Sequence, residues 1–164
     1  MANRVLLDLE ENMKLPSWLE GEDKLQVIED FIYKVMKKLR MNKREVSVMF
    51  CTDNFIQNLN REYRNIDSPT DVLSFENGSK YTDEQGKWLC LGDIAISVET
   101  LPKNALYFEV SENEELKRLL IHGLLHLKGL DHGEEHVEKN KEPVCKMLRI
   151  QKKLMKFFEK EEII

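Results

Sequence analysis

ENEELKRLLIHGLLHLKGLDH, residues 112–132, decides how the rest of the chain is read. Leu116, Leu119, Leu120, Leu124 and Leu127 recur at helical spacing, which gathers apolar side chains on one face of an α-helix. Gly129 closes the pattern, because glycine accepts the left-handed conformation that ends a helix. His122 and His126 stand four apart. Each helical residue advances about 100°, so both imidazoles leave the same side one turn apart, close enough to share a metal ion. The step from Gly129 to His132 lets the chain turn back and deliver a third imidazole.

Upstream of this buried helix the pattern alternates. Arg4 to Leu9 suits a short strand, and Glu22 to Leu39 places Leu25, Ile28, Ile32, Val35 and Leu39 on a helical stripe. Glu45 to Cys51 alternates Val46, Val48 and Phe50 against polar or intermediate neighbours. Thr52 or Asp53 then caps a helix carrying Phe55, Ile56, Leu59 and Tyr63. After the turn residues Asp67, Ser68 and Pro69, strands at Val72 to Phe75 and Trp88 to Val98 are expected to pair as a hairpin around a long polar loop. A last helix is expected from near Glu134, with Pro143 kinking it or marking its true start. The expected fold is α+β: a single domain over residues 1–164, with one mixed sheet of about four strands, packed helices and a zincin-like metal-binding helix.

Composition bounds the function. With 164 residues, 41% of them apolar and 34% charged, and with four Pro and seven Gly, the chain has the make-up of a folded protein with one core. No apolar run reaches the ~18 residues of a membrane span, since Arg118, His122, His126 and Lys128 interrupt the richest segment. No export signal is visible in Met1 to Lys14, and Cys51, Cys90 and Cys145 form neither a paired framework nor a CxxC knuckle. A cytoplasmic protein with reduced thiols and no membrane partner is expected. A net charge of −5 argues against bulk electrostatic coating of nucleic acid, although basic residues gather at Lys34 to Arg44, at Arg61 and Arg64, and along residues 146–156.

Three neutral imidazoles suit one zinc ion, with nickel, copper or iron as alternatives, and three protein ligands leave a position open for water. Asp131 is a candidate for accepting the second ring N–H of a ligating histidine, or else for an Asx-turn with local backbone. His136, four residues after His132, is either a fourth ligand or an exposed residue. The spacing H-x-x-x-H-x-x-G-x-x-H matches that of metzincin proteases, but they carry a glutamate base right after the first histidine, where this chain has Gly123. A peptidase without that carboxylate lacks the group that deprotonates the attacking water.

The segment Ile121 to His132, IHGLLHLKGLDH, resembles the HGxLHLxGxDH motif of the YbeY family of bacterial ribosomal-RNA-processing endoribonucleases. Two more blocks are similar to that family's, LNREYRNIDSPTDVLSFE at residues 59–76 and LGDIAIS at 91–97, so the resemblance covers about residues 45 to 135. Glu76 and Leu130 depart from it, standing where the family often has Pro and Tyr. The resemblance implies zinc on His122, His126 and His132, and single-stranded RNA as substrate. It also implies a role in 16S rRNA 3′-end maturation and ribosome quality control, with the small ribosomal subunit, its proteins and an Era-type GTPase as partners. The arginine of the family's Tyr-Arg pair falls on Arg64, which the resemblance implies is catalytic.

Charge chemistry gives Arg64 a compatible role. A guanidinium binds two phosphoryl oxygens at once and so suits the charge that develops during phosphodiester cleavage. The alternative is a helix-end residue bonded to free carbonyls or to Asp67. Two other functions remain beside the nuclease: a non-catalytic ribosome-assembly factor with a structural metal, and, third, a metalloprotease. Ser74 and Asp93 are further candidates to line the cleft, and Gly92 is expected at a bulge or close backbone approach.

Overall fold

The computed structural model describes residues 2–164. The chain runs β1 (Arg4–Leu9), a 3-10 turn (Ser17–Leu19), α1 (Glu22–Lys38), β2 (Arg44–Cys51), α2 (Asp53–Arg64), β3 (Val72–Glu76), β4 (Lys80–Asp83), β5 (Gly86–Ser97), α3 (Thr100–Phe108), α4 (Glu112–Leu127) and α5 (Lys146–Phe157). The sheet order is β1-β2-β5-β3, with β4 also on β5. β1 and β2, and β2 and β5, are parallel, whereas β3 and β4 run antiparallel to β5. The class is α+β, as expected, but with five strands rather than about four.

The extra strand arises because β5 is long enough to share one edge between two short partners. β4 pairs along Gly86–Leu89 and β3 along Gly92–Ile96. β4 leaves no alternating pattern because Lys80, Thr82 and Asp83 are all exposed. Between the two partners the β2–β5 register shifts, so that Glu45 faces Cys90 while Val46 faces Gly92. Gly92 has φ 142°, and a Cβ there would lie 2.0 Å from the Phe75 carbonyl oxygen. The expected close backbone approach is therefore real, and only glycine fits it.

Neighbouring strand residues point to opposite faces. Val46, Val48, Phe50, Ile94 and Ile96 join the main core with α1 and α4. Cys51, Leu73 and Ala95 face the other way and meet Ile56 of α2. α4 starts at Ser111, whose Oγ accepts the Glu114 N–H at 3.0 Å, and its apolar stripe is fully buried.

Three polar side chains of α4, Asn113, Glu115 and Lys117, are buried as well, and the first and last anchor the C-terminal residues beyond α5. Lys117 Nζ donates to the Phe158 and Glu159 carbonyls at 3.0 and 3.4 Å and pairs with Glu114 at 2.6 Å. Asn113 accepts the Ile163 N–H at 2.7 Å and donates to the Glu161 carbonyl at 3.0 Å. α5 itself begins at Lys146, not near Glu134. The Glu135 carboxylate accepts the N–H groups of Val144 and Cys145 at 2.8 and 2.7 Å, so the intervening residues fold back as a loop, and Pro143 precedes the true helix start. α3 was not expected at all. It buries only Leu101 and Ala105 and so leaves a weak periodic signal.

Candidate metal centre and cleft

His122 and His126 leave the last two turns of α4, and Gly129, at φ 100°, reverses the chain so that His132 returns to them. One ring nitrogen from each lies within 4.8 Å of the others. The Nε2 atoms of His122 and His126 are 3.1 Å apart. Two tetrahedral ligands at roughly 2.05 Å from a shared ion sit about 3.3 Å from each other, so this spacing already suits a metal. His132 keeps a buried Nδ1 without a hydrogen-bond partner, an atom that costs stability unless something binds it. The three histidines can hold a metal ion, and their all-nitrogen donor set fits a divalent transition metal.

The protonation states agree. Burial pushes the His122 pKa down to about 4, with a hydrogen bond to Gln151 opposing it. Burial also lowers that of His126, helped by the charge of His132. A ligand must offer a lone pair, so histidines that resist protonation are prepared for the task. Gln151 of α5 completes the arrangement: its Oε1 lies 2.7 Å from His122 Nδ1. An amide oxygen only accepts, so Nδ1 carries the proton and Nε2 presents its lone pair to the other histidines. Sequence reasoning missed Gln151. The available signal was a polar residue on the buried stripe formed with Met147, Leu148 and Leu154.

Asp131 accepts the backbone N–H groups of His132 and Gly133 at 2.8 and 3.3 Å, the geometry of an Asx-turn. Those two donors hold its carboxyl below the usual range, and its charge in turn favours protonation of His126. His136 is exposed, with its ring centroid 5.3 Å from that of His132, and it stands outside the three-histidine group. Gly123 faces the sheet. A Cβ there would meet Ile94 Cδ1 at 2.8 Å, so any side chain at the position that carries a glutamate base in metzincins would press into Ile94 and the sheet rather than face the histidines.

The histidines line a cavity of about 770 Å³ that Arg64, Ser74 and Arg118 also line. Arg64 is the last residue of α2, before Asn65 turns left-handed at φ 58°. It is exposed, and among the described residues its side chain makes no hydrogen bond or ion pair. Asp67, the partner offered by the alternative reading, is taken by Arg61 at 3.3 Å and Gln57 at 3.1 Å. The Arg64 charge reaches the site, since it contributes to the lowered pKa of His126. Ser74 pairs with Ile94 on the α4 side of the sheet, whereas Asp93, one residue earlier, is exposed on the other face and does not line this cavity.

Arg118, one turn before His122, was also missed. Its Nε donates to Glu115 at 2.6 Å, and its guanidinium pairs with Asp71 at 3.2 Å; Asn104 donates to the same Asp71 oxygen at 2.9 Å. Burial opposes the Arg118 charge, yet Glu115 and Asp71 more than offset it and raise its pKa. Burial likewise pushes Glu115 up against the pull of Arg118. The cluster ties α4, β3 and α3 together around the cavity.

Comparison with known proteins agrees with this geometry. The family model described as endoribonuclease YbeY matches residues 12–159. A Treponema denticola endoribonuclease YbeY is 48% identical over 137 residues, covering 83% of this chain and 84% of the relative. Its counterpart from Aquifex aeolicus is 41% identical over 111 residues, 66% of this chain and 71% of the relative. The solution structure of a Thermotoga maritima protein superimposes with a TM-score of 0.58 at 25% identity, covering 95% of this chain and 90% of that one. With the matched residues spanning β2 to β5, Arg64 and all three histidines, the chain belongs to the endoribonuclease YbeY family.

Proposed function

We propose that residues 1–164 form one metal-dependent endoribonuclease domain that cuts single-stranded RNA in 16S rRNA 3′-end maturation and ribosome quality control. The observation that carries this reading is an unpaired Arg64 facing the same cavity as three clustered histidine nitrogens, in a chain of this family. His122, His126 and His132 would hold the metal, with zinc favoured by three neutral imidazoles and an open position. When bound, the ion supplies Lewis acidity and a nucleophile at neutral pH, which a site without a glutamate base at position 123 needs.

The chain's own residues do the rest. Gln151 fixes the tautomer and ring angle of His122. Arg64 binds two non-bridging oxygens of the scissile phosphate and strengthens its hold as charge develops there. The Arg118–Asp71–Asn104 cluster keeps the wall of the cavity in place between the histidine helix and the strand after the Arg64 loop. No helix among the described residues is long and apolar enough to cross a membrane, and a cytoplasmic site of action fits the reading. The net charge of −5 favours targeting through the small subunit's proteins or an Era-type GTPase over bulk RNA affinity.

The test is cleavage of a labelled single-stranded RNA by wild type, Arg64→Ala and His126→Ala, purified identically and assayed for bound metal. Arg64→Ala is expected to keep its metal and lose cleavage at least about a hundredfold, in line with removal of a transition-state donor. His126→Ala is expected to lose both metal and cleavage. Full cleavage by a verified metal-free His126→Ala protein sinks the mechanism. RNA binding without cleavage by the wild type, even with ribosomal subunits present, supports the assembly-factor reading instead.

A further inference from the structure

We propose that Tyr107 is a nucleobase-stacking platform on the wall of the cleft, receiving a base close to the scissile phosphate; this rests on the nuclease reading and adds the mode of substrate recognition. α3 buries its apolar side through Leu101 and Ala105, so Tyr107 is not needed by the core. The residue is 62% exposed, yet it lines the same cavity as Arg64 and the three histidines.

Its position is held from behind. Phe108 meets it edge to face at 5.0 Å, and the Phe108 ring lies 5.2 Å from the Arg118 guanidinium. Arg118 precedes His122 by one helical turn. A continuous line of contacts therefore fixes Tyr107 relative to the candidate metal centre. Lys139 Nζ stands 4.8 Å from the Tyr107 ring centroid and makes no ion pair among the described residues. An exposed aromatic ring with a cation over it that no carboxylate holds is a pairing by which proteins take up unpaired nucleotides, the ring stacking on the base and the cation meeting the backbone. The reading also accounts for strand selectivity, since a base already stacked within a duplex offers no free face.

The experiment compares Tyr107→Ala and Tyr107→Phe with wild type on one labelled single-stranded RNA. A companion set of RNAs carries a single abasic site at each position near the cut. Loss of one stacking contact corresponds to roughly a 5- to 150-fold fall, so Tyr107→Ala is expected to lower kcat/KM about tenfold, mainly through KM. Tyr107→Phe keeps the ring and is expected to stay within about twofold of wild type. One abasic position is expected to weaken wild type about tenfold and Tyr107→Ala hardly at all, as coupled partners must in a double-mutant cycle. The proposal is overturned if Tyr107→Ala matches wild type, if Tyr107→Phe is as impaired as Tyr107→Ala, or if every abasic penalty is the same in both proteins. If wild type neither binds nor cuts any of the RNAs, the nuclease reading falls and takes the platform with it. If wild type cuts and Tyr107→Ala cuts equally well, the platform alone fails.

Discussion

His122 takes its chemistry from its neighbours. Burial lowers its pKa to about 4, against an ordinary 6.5, so the unfolded chain accepts a proton there at a higher pH than the folded one. Between those values unfolding takes up a proton, so stability falls as the pH drops through 6.5 and the loss levels off near 4. The difference is on the order of 3 kcal/mol. Urea unfolding of metal-free protein is expected to show this slope, and His122→Gln is expected to show less of it. A profile as steep in the variant as in the wild type would mean that other groups carry the effect. Gln151 acts on the same ring from the far side. Gln151→Leu preserves volume but removes the acceptor, so metal affinity, read by competition with a chelating dye, is expected to fall about 10- to 100-fold. Unchanged affinity would show that the 2.7 Å contact does not orient the ligand.

At the scale of elements, the decisive contact is that of α4 with β5. Gly123 lets the helix lie so close to the sheet that an added methyl would meet Cδ1, Cγ2 and Cγ1 of Ile94 at 2.8, 3.0 and 3.1 Å. Overpacking typically costs about 1–3 kcal/mol, and the gain in helix propensity returns up to about 1. Gly123→Ala is therefore expected to lose roughly 1 kcal/mol in chemical denaturation, and a stabilised variant would show that Ile94 moves aside freely. The elements legible in the sequence were β1, α1, β2, α2, β3, β5 and α4, each marked by an apolar run, an apolar period or a cap. The three-histidine spacing was legible for the same reason, because Leu116 to Leu127 establish the helix on which it sits. α3 and β4 escaped because α3 buries only two side chains and β4 none, so neither carries a readable period. Gln151 and Tyr107 escaped because no local pattern links α5 or α3 to the histidines, and Arg118 because beside Glu115, three residues away, its other partner Asp71 lies 47 residues away.

Across the whole molecule, the centre is assembled from distant parts: α2 brings Arg64, α4 brings two histidines, the turn after it a third, and α5 the amide behind them. The buried Lys117 and Asn113 hold the residues after α5 against α4, while α5 itself packs through Met147, Leu148, Gln151 and Leu154. Metal binding and the docking of α5 are thereby linked through the Gln151–His122 contact. Linkage is reciprocal: whatever factor α5 docking adds to the affinity for metal, bound metal returns to the docking equilibrium. The closing segment of the chain is thus a thermodynamic gauge of metal loading, and amide hydrogen exchange in residues 146–157 reads the occupancy of a site formed mainly by another helix.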